Sequence, residues 1–218
     1  MKYKLVKEVV DLLEQFELEN SNRTYTYDIN GFKKWFTYNQ SDSQSFHEPN
    51  WEGKENGRSA DSVINTLLVH MNRFAKSYSK AAIWDSDFSS QEDFIYLINL
   101  RAFGKMTKME LIKRNIHEKP VGILVINRLI AQGWVMQENS TTDKRSKLVS
   151  ITEKGMEILE KHMGKIRQAT EIVTGDLTYP EKMELIRLLK KLNDFHLPIY
   201  EKNIQPENLL EEVLNNKN

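Results

Sequence analysis

Between Gly133 and Gly155 the chain changes its periodicity twice, and that change limits the folds open to it. Up to Gly133 the residues Gly122, Val125, Ile126, Leu129 and Ile130 recur at helical spacing. Trp134-Val135-Met136 and Leu148-Val149-Ser150-Ile151 then read as two strands, joined by a polar tract from Asn139 to Ser146. The tract leads to Asp143-Lys144-Arg145-Ser146-Lys147, a hairpin tip carrying three cations. Thr152 follows as the cap of a new helix. A ribbon inserted between helices predicts a mainly α body, α+β in detail, with a two-stranded β wing projecting from it.

The rest of the chain supplies that body. Residues 2–19 carry Leu5, Val9, Leu12, Leu13 and Phe16 on one helical stripe, and Asp28 caps a shorter pattern through Ile29, Phe32, Trp35 and Phe36. From Asn39 to Gly57 the composition turns polar, with isolated Phe46, Pro49 and Trp51, which predicts a long loop. A long helix follows from Ser59, with Val63, Leu67, Met71, Ala75 and Tyr78 on one stripe. Ser89-x-x-Glu92, Thr107-x-x-Glu110 and Thr178-x-x-Glu181 have capping-box spacing and predict three further helix starts. Pro120 falls in the first turn of the helix that Gly133 stops, where its missing N–H costs nothing. The helix capped by Thr152 reaches about Val173, and the one from Thr178 is expected to end at Pro198. These long flanking helices carry more apolar surface than a small winged domain can cover, which predicts a homodimer.

Charge separates this central segment from the remainder. The chain is neutral overall, with 31 Lys and Arg against 31 Asp and Glu, yet residues 101–155 hold eleven bases and five acids. The surplus of cations lies on the helix pair and ribbon and suits a polyanion. No cysteine is present, which excludes disulfides and thiolate metal ligands. The five histidines, His47, His70, His117, His162 and His196, show no metal-binding spacing. Asp85-x-Asp87 is explained by helix capping. No phosphate-binding glycine loop or nucleophile elbow occurs, so no enzyme, no metal and no cofactor is expected. The N-terminus reads as a charged helix and not a signal sequence, and no apolar run is long enough to span a bilayer, so a cytoplasmic protein is expected.

The pattern Asp143-x-Arg145-Ser146-x-x-Val149-x-Ile151-Thr152-x-x-Gly155 resembles the wing signature of the MarR family of bacterial transcriptional regulators. Thr107-x-x-Glu110-Leu111, followed by Asn127-Arg128-Leu129-Ile130-x-x-Gly133-Trp134-Val135, is similar to the family's helix-turn-helix entering the first wing strand. The likeness spans roughly residues 59–196. It implies a winged-helix domain at 59–196, with the helix-turn-helix at about 107–132, the wing at about 134–151 and dimer helices at 59–83 and 152–196. Residues 1–58 are then an N-terminal extension with a long polar loop, and 197–218 a tail.

The resemblance further implies a homodimer that sets two recognition helices into successive major grooves of double-stranded DNA, with the wings toward the minor groove. Lys144, Arg145 and Lys147 would reach phosphates or a narrow, electronegative groove. Asp143 would pair with Arg145 or cap the turn. Ser146 and Thr107 are candidate phosphate donors, with Lys108 beside them. On the recognition helix the candidates are Lys119, Pro120, Val121, Ile123, Leu124, Asn127 and Arg128. Here the chain departs from the family pattern, because Pro120-Val121-Gly122-Ile123-Leu124 stands where Ser, Thr and Arg are usual. Apolar side chains meet thymine methyls but make no bidentate hydrogen bonds to bases.

A repressor, relieved by a small aromatic or amphipathic effector, is what the resemblance implies. Tyr78 and Trp84 are the candidate effector contacts, and the N-terminal aromatics Tyr25, Tyr27, Trp35, Phe36 and Tyr38 are a second possibility beside plain dimer packing. The alternative function is a MarR-like ligand-binding or protein-interaction module that has lost DNA binding.

Overall fold

The computed structural model describes residues 2–20, 23–43, 49–139 and 147–215. The chain divides into two compact units, Met1–Val63 and Ile64–Asn218. In the first, α1 (Lys2–Glu19) and α2 (Ile29–Ser43) form a helical hairpin. The Asn20 side chain is buried between them, donating to the Tyr25 carbonyl and accepting from the Tyr25 N–H, both at 2.8 Å. One Asp28 carboxylate oxygen accepts from the Asn30 and Gly31 N–H groups at 2.9 and 2.7 Å, as a helix cap should. Those bonds, chiefly the one from Gly31, hold the Asp28 carboxyl below its usual range. Phe16 packs on Tyr27, Phe32 and Trp35 at ring separations of 5.3–5.8 Å.

Two expectations change in this unit. The helix starting at Ile29 runs on to Ser43, so the loop begins later than the polar composition at Asn39 suggests. Polar residues do not by themselves stop a helix whose backbone bonds continue. Lys54–Asn56 also form a 3-10 turn, bracketed by Gly53 and Gly57 in left-handed conformation. Phe46, one of the loop aromatics, lies outside the described residues.

The second unit contains α3 (Ala60–Ala82) from Ile64 onward, then α4 (Gln91–Phe103), β1 (Met106–Thr107), α5 (Lys108–Arg114) and α6 (Lys119–Ala131). These are followed by β2 (Val135–Asn139), β3 (Lys147–Ile151), α7 (Glu153–Thr174), α8 (Tyr179–Glu201) and α9 (Pro206–Asn215). The sheet is three-stranded and antiparallel, in the order β1-β3-β2. The two-stranded wing therefore gains a third strand, in which Met106 pairs with Val149 and Thr107 with Leu148. Two residues are too short to show a period of two. Trp134 stands just outside β2, because its N–H closes the end of α6 onto the Leu129 carbonyl at 3.0 Å.

One core joins these elements. Tyr96, Leu97 and Leu100 of α4 meet Leu111 and Ile112 of α5, Ile126 and Leu129 of α6, Val149 of β3 and Leu159 of α7, all essentially without solvent exposure. Each such side chain contributes about 1.5–3 kcal/mol by leaving water. By contrast α8 buries none of its residues within the chain.

Two more boundaries differ from the sequence reading. Ser90, not Ser89, caps α4, and the reciprocal carboxylate is Asp93, not Glu92. Both serines offer the right spacing, and burial decides for the pair one residue on. Pro198 lies inside α8 rather than ending it. The turn beyond it is anchored by the Tyr200 hydroxyl, which donates to the His117 carbonyl at 2.8 Å.

The root of the wing explains the Thr152-x-x-Gly155 pattern. Thr152 Oγ1 accepts from the Gly155 N–H at 3.0 Å and donates to the Gly133 carbonyl at 2.7 Å, so it caps α7 and closes the end of α6 together. Its own N–H donates to the Trp134 carbonyl at 2.9 Å. A Cβ on Gly155 would lie 2.2 Å from that carbonyl oxygen, a backbone atom that cannot swing aside.

Two stability measurements follow. Gly155→Ala should lower the unfolding free energy by about 1–3 kcal/mol in a urea titration, through overpacking against backbone. His162 on α7 is buried against Phe88, with Nε2 unpartnered among the described residues, and burial foremost lowers its pKa below the ordinary 6.5. The unfolded chain then binds the proton more readily, so stability falls as the pH drops through about 6.5 and below. His162→Leu should flatten that limb of a thermal-midpoint-versus-pH curve.

Candidate nucleic-acid interface

The helix-turn-helix is built from α5 and α6. At its start the Thr107–Glu110 capping box is closed in both directions: Glu110 N–H donates to Thr107 Oγ1 at 3.1 Å, and Thr107 N–H donates to Glu110 Oε2 at 2.7 Å. Bonds from Thr107 to Glu110 hold that carboxyl below its usual range. The Thr107 hydroxyl also donates to the same oxygen, at 2.8 Å, so its proton is already engaged. Lys108, next to it, is half-buried.

The turn is a Schellman motif. His117 N–H reaches back to the Ile112 carbonyl at 3.3 Å and Ile116 N–H to the Lys113 carbonyl at 3.0 Å. The position that needs a left-handed backbone is filled by Ile116, at φ 51°, where glycine is usual. A β-branched residue there gives no turn signal in the sequence. Beyond the turn α6 crosses close to α5, since a Cβ on Gly122 would lie 2.3 Å from Ile112 Cγ1.

Polar contacts fix α6 to α4 at two places. His117 Nδ1 and the Tyr96 hydroxyl are hydrogen-bonded at 2.9 Å just before α6 begins. The Tyr96 hydroxyl is fully buried, and desolvation pushes its pKa up to about 12, so it stays protonated. Further along, Arg128 donates from Nε and Nη2 to Asp93 Oδ1 at 2.8 and 2.5 Å and from Nη2 to Ser90 Oγ at 3.1 Å. Asp93 is wholly buried and also accepts from the Ser89 N–H at 2.7 Å. Arg128, named above as a base-contact candidate, thus spends its guanidinium on a tertiary clamp. The sequence signal for this clamp is the capping residue Asp93, whose second carboxylate oxygen needs a cation.

What α6 offers outward is narrow. Lys119, Pro120, Val121, Leu124 and Asn127 are exposed, with Leu124 at 68%, whereas Ile123 is half-buried and packs on the core. Lys113 and Arg114 are exposed on α5, and the Arg114 guanidinium stacks over the Phe103 ring at 3.9 Å. In the wing, Lys147 Nζ donates to Asn139 Oδ1 at 2.8 Å across the two strands. Lys144, Arg145 and Ser146, with Asp143, lie outside the described residues. Of the effector candidates, Tyr78 is half-buried on α3 and Trp84 is exposed after its end. A cleft of about 240 Å³ is lined by Asp87, Trp134, Lys154, Glu157, Ile158 and Lys161, apart from both.

A helix held firmly from behind, exposed in front and followed by a β-ribbon on the basic segment of the chain defines a winged helix-turn-helix protein. Residues 88–155 match the family model described as a winged helix DNA-binding domain. The chain is 32% identical over 102 residues to the multiple antibiotic resistance protein MarR of Salmonella typhimurium, covering 45% of this chain and 69% of that one. It is 30% identical over 101 residues to the HTH-type transcriptional repressor NicR of Pseudomonas putida, covering 46% of this chain but only 64% of NicR. A mutant MarR from E. coli, solved with operator DNA, superposes with a TM-score of 0.55 at 25% identity, over 59% of this chain and 92% of that one. The chain belongs to the MarR family of winged-helix, DNA-binding transcriptional regulators.

The clamp can be tested directly. Arg128→Leu leaves the buried Asp93 carboxylate without its cation. The stability lost should be about 2–3 kcal/mol, below the usual cost of breaking a buried pair because Arg128 is a third exposed. Lys119→Ala, on the exposed face of the same helix, should stay within about 0.5 kcal/mol of the parent by chemical denaturation.

Proposed function

We propose that the chain is a cytoplasmic, homodimeric repressor that binds an operator in double-stranded DNA through α6 and the wing. The observation that carries this reading is the geometry of α6: a solvent-facing helix pinned to the core by Arg128 and His117, beside a segment with a surplus of cations. Its outward Val121 and Leu124 suit thymine methyls, while Lys119 and Asn127 supply the polar contacts on that face. Lys144, Arg145 and Lys147 at the wing tip supply phosphate or minor-groove contacts by the family motif. The dimer is supported by apolar residues left exposed in the single chain on α3 (Ile64, Leu67, Phe74) and on α8 (Ile186, Leu189, Phe195). Helices of 23 residues with such faces need a partner to cover them. Release by a small aromatic or amphipathic effector follows the family, with Tyr78 and Trp84 as the contacts first to test.

A second reading is favoured by one observation, the apolar α6 face with Arg128 withdrawn from it. On that reading the domain is a ligand-binding or protein-interaction module without DNA affinity. Fluorescence titration of the purified chain against DNA from upstream of its own gene, at several salt concentrations, separates the two. The expected result is an affinity that falls with salt, and Arg145→Ala should weaken binding and reduce the log–log slope by about one unit. No binding at low salt would favour the module.

A further inference from the structure

The helix α6 does little to fix its own beginning. Its N-cap residue Glu118 makes no capping bond with its side chain, and its first turn carries no acid to meet the helix dipole. Ile116, two residues before that cap, stands in left-handed backbone at φ 51°, a conformation a β-branched residue does not favour by itself. The direction in which α6 leaves the turn is therefore set from outside.

His117 is where the outside takes hold, and it does so from two sides. Its Nδ1 is hydrogen-bonded to the Tyr96 hydroxyl at 2.9 Å, with the two rings stacked at 5.7 Å. Its carbonyl accepts from the Tyr200 hydroxyl at 2.8 Å, across 83 residues of sequence. This second bond acts on the main chain itself, one residue ahead of the N-cap of α6.

The two holds differ in kind. Tyr96 belongs to the core, without solvent exposure beside Leu97 and Leu100 on α4. Tyr200 comes from α8, which buries none of its residues within the chain. Along α8 only Lys182 near the start, and Leu197, Ile199 and Tyr200 near the end, are even half-buried. The end of α8 thus meets the winged body where α6 begins.

We propose that Tyr200 is a positioning residue for α6: by holding the His117 carbonyl, it lets α8 fix the angle at which that helix enters its groove in DNA. This role rests on the reading above that α6 meets DNA. A recognition helix makes its base contacts from its N-terminal residues. Here those are Lys119, Val121 and Leu124, which follow His117 directly, so a shift at His117 reaches them first.

The test uses the full chain with Tyr200→Phe, which keeps the ring and removes only the hydroxyl. Tyr179→Phe, at the exposed start of the same helix, serves as the control. Each is titrated with the upstream DNA at one low salt concentration, and amide hydrogen exchange is followed without DNA. Tyr200→Phe should weaken DNA binding about five- to tenfold, the scale of one lost hydrogen bond. In the same chain, exchange at Gly122 and Ile123 should quicken several-fold while that at Leu97 and Leu100 stays at the parental rate. Tyr179→Phe should match the parent in both measurements. Parental affinity and exchange in Tyr200→Phe overturn the proposal, since the bond then merely secures the end of α8. Weaker binding with parental exchange at Gly122 and Ile123 overturns it too, because Tyr200 then contacts DNA itself. A parent chain that binds no DNA overturns the DNA reading instead. Exchange at Gly122 and Ile123 then decides the tether alone, quickened in its favour and parental against it.

Discussion

The buried carboxylate of Asp93 is the constraint on which the helix-turn-helix depends. Such a charge costs several kcal/mol in the interior unless it is fully engaged. Here the Ser89 N–H at the start of α4 and the guanidinium of Arg128 on α6 engage it from two sides. One group thereby caps a core helix and sets the rotation of α6. That rotation turns Val125, Ile126 and Leu129 inward and leaves Leu124 outward. Purely apolar packing would accept small slides of α6 along its groove. A fork of hydrogen bonds onto a fixed carboxylate accepts far fewer.

The elements signalled by local chemistry were legible in the sequence. Thr107 and Glu110, Thr178 and Glu181, and Thr152 with Gly155 all act where their spacing placed them, because a cap is decided within four residues. The alternation in Leu148–Ile151 likewise produced β3. What escaped the sequence was decided at long range. The partner of Arg128 lies 35 residues away, and nothing local distinguishes a cation that reads DNA from one that neutralises a core acid. β1 exists only because Val149 and Leu148 offer it an edge. Ser89 and Ser90 are equivalent as letters, and the choice between them falls to the burial of Asp93. Pro198 is a stop signal in the sequence, yet α8 continues past it because the next turn is tethered by Tyr200.

Ile116 has a consequence for how this helix-turn-helix tolerates change. Its left-handed backbone costs of order 1–2 kcal/mol relative to an ordinary conformation, yet the turn holds. It does so because its ends are tied elsewhere: Asn115 to Asn99, and His117 to Tyr96 and Tyr200. The turn geometry is thus imposed by the surroundings and not by the residue at its apex. Glycine at that apex would relax the backbone, while loss of any tether lets the stored strain act on α6. The fragile points of the helix-turn-helix therefore lie behind it, in α4 and at the end of α8, and not at the bend itself.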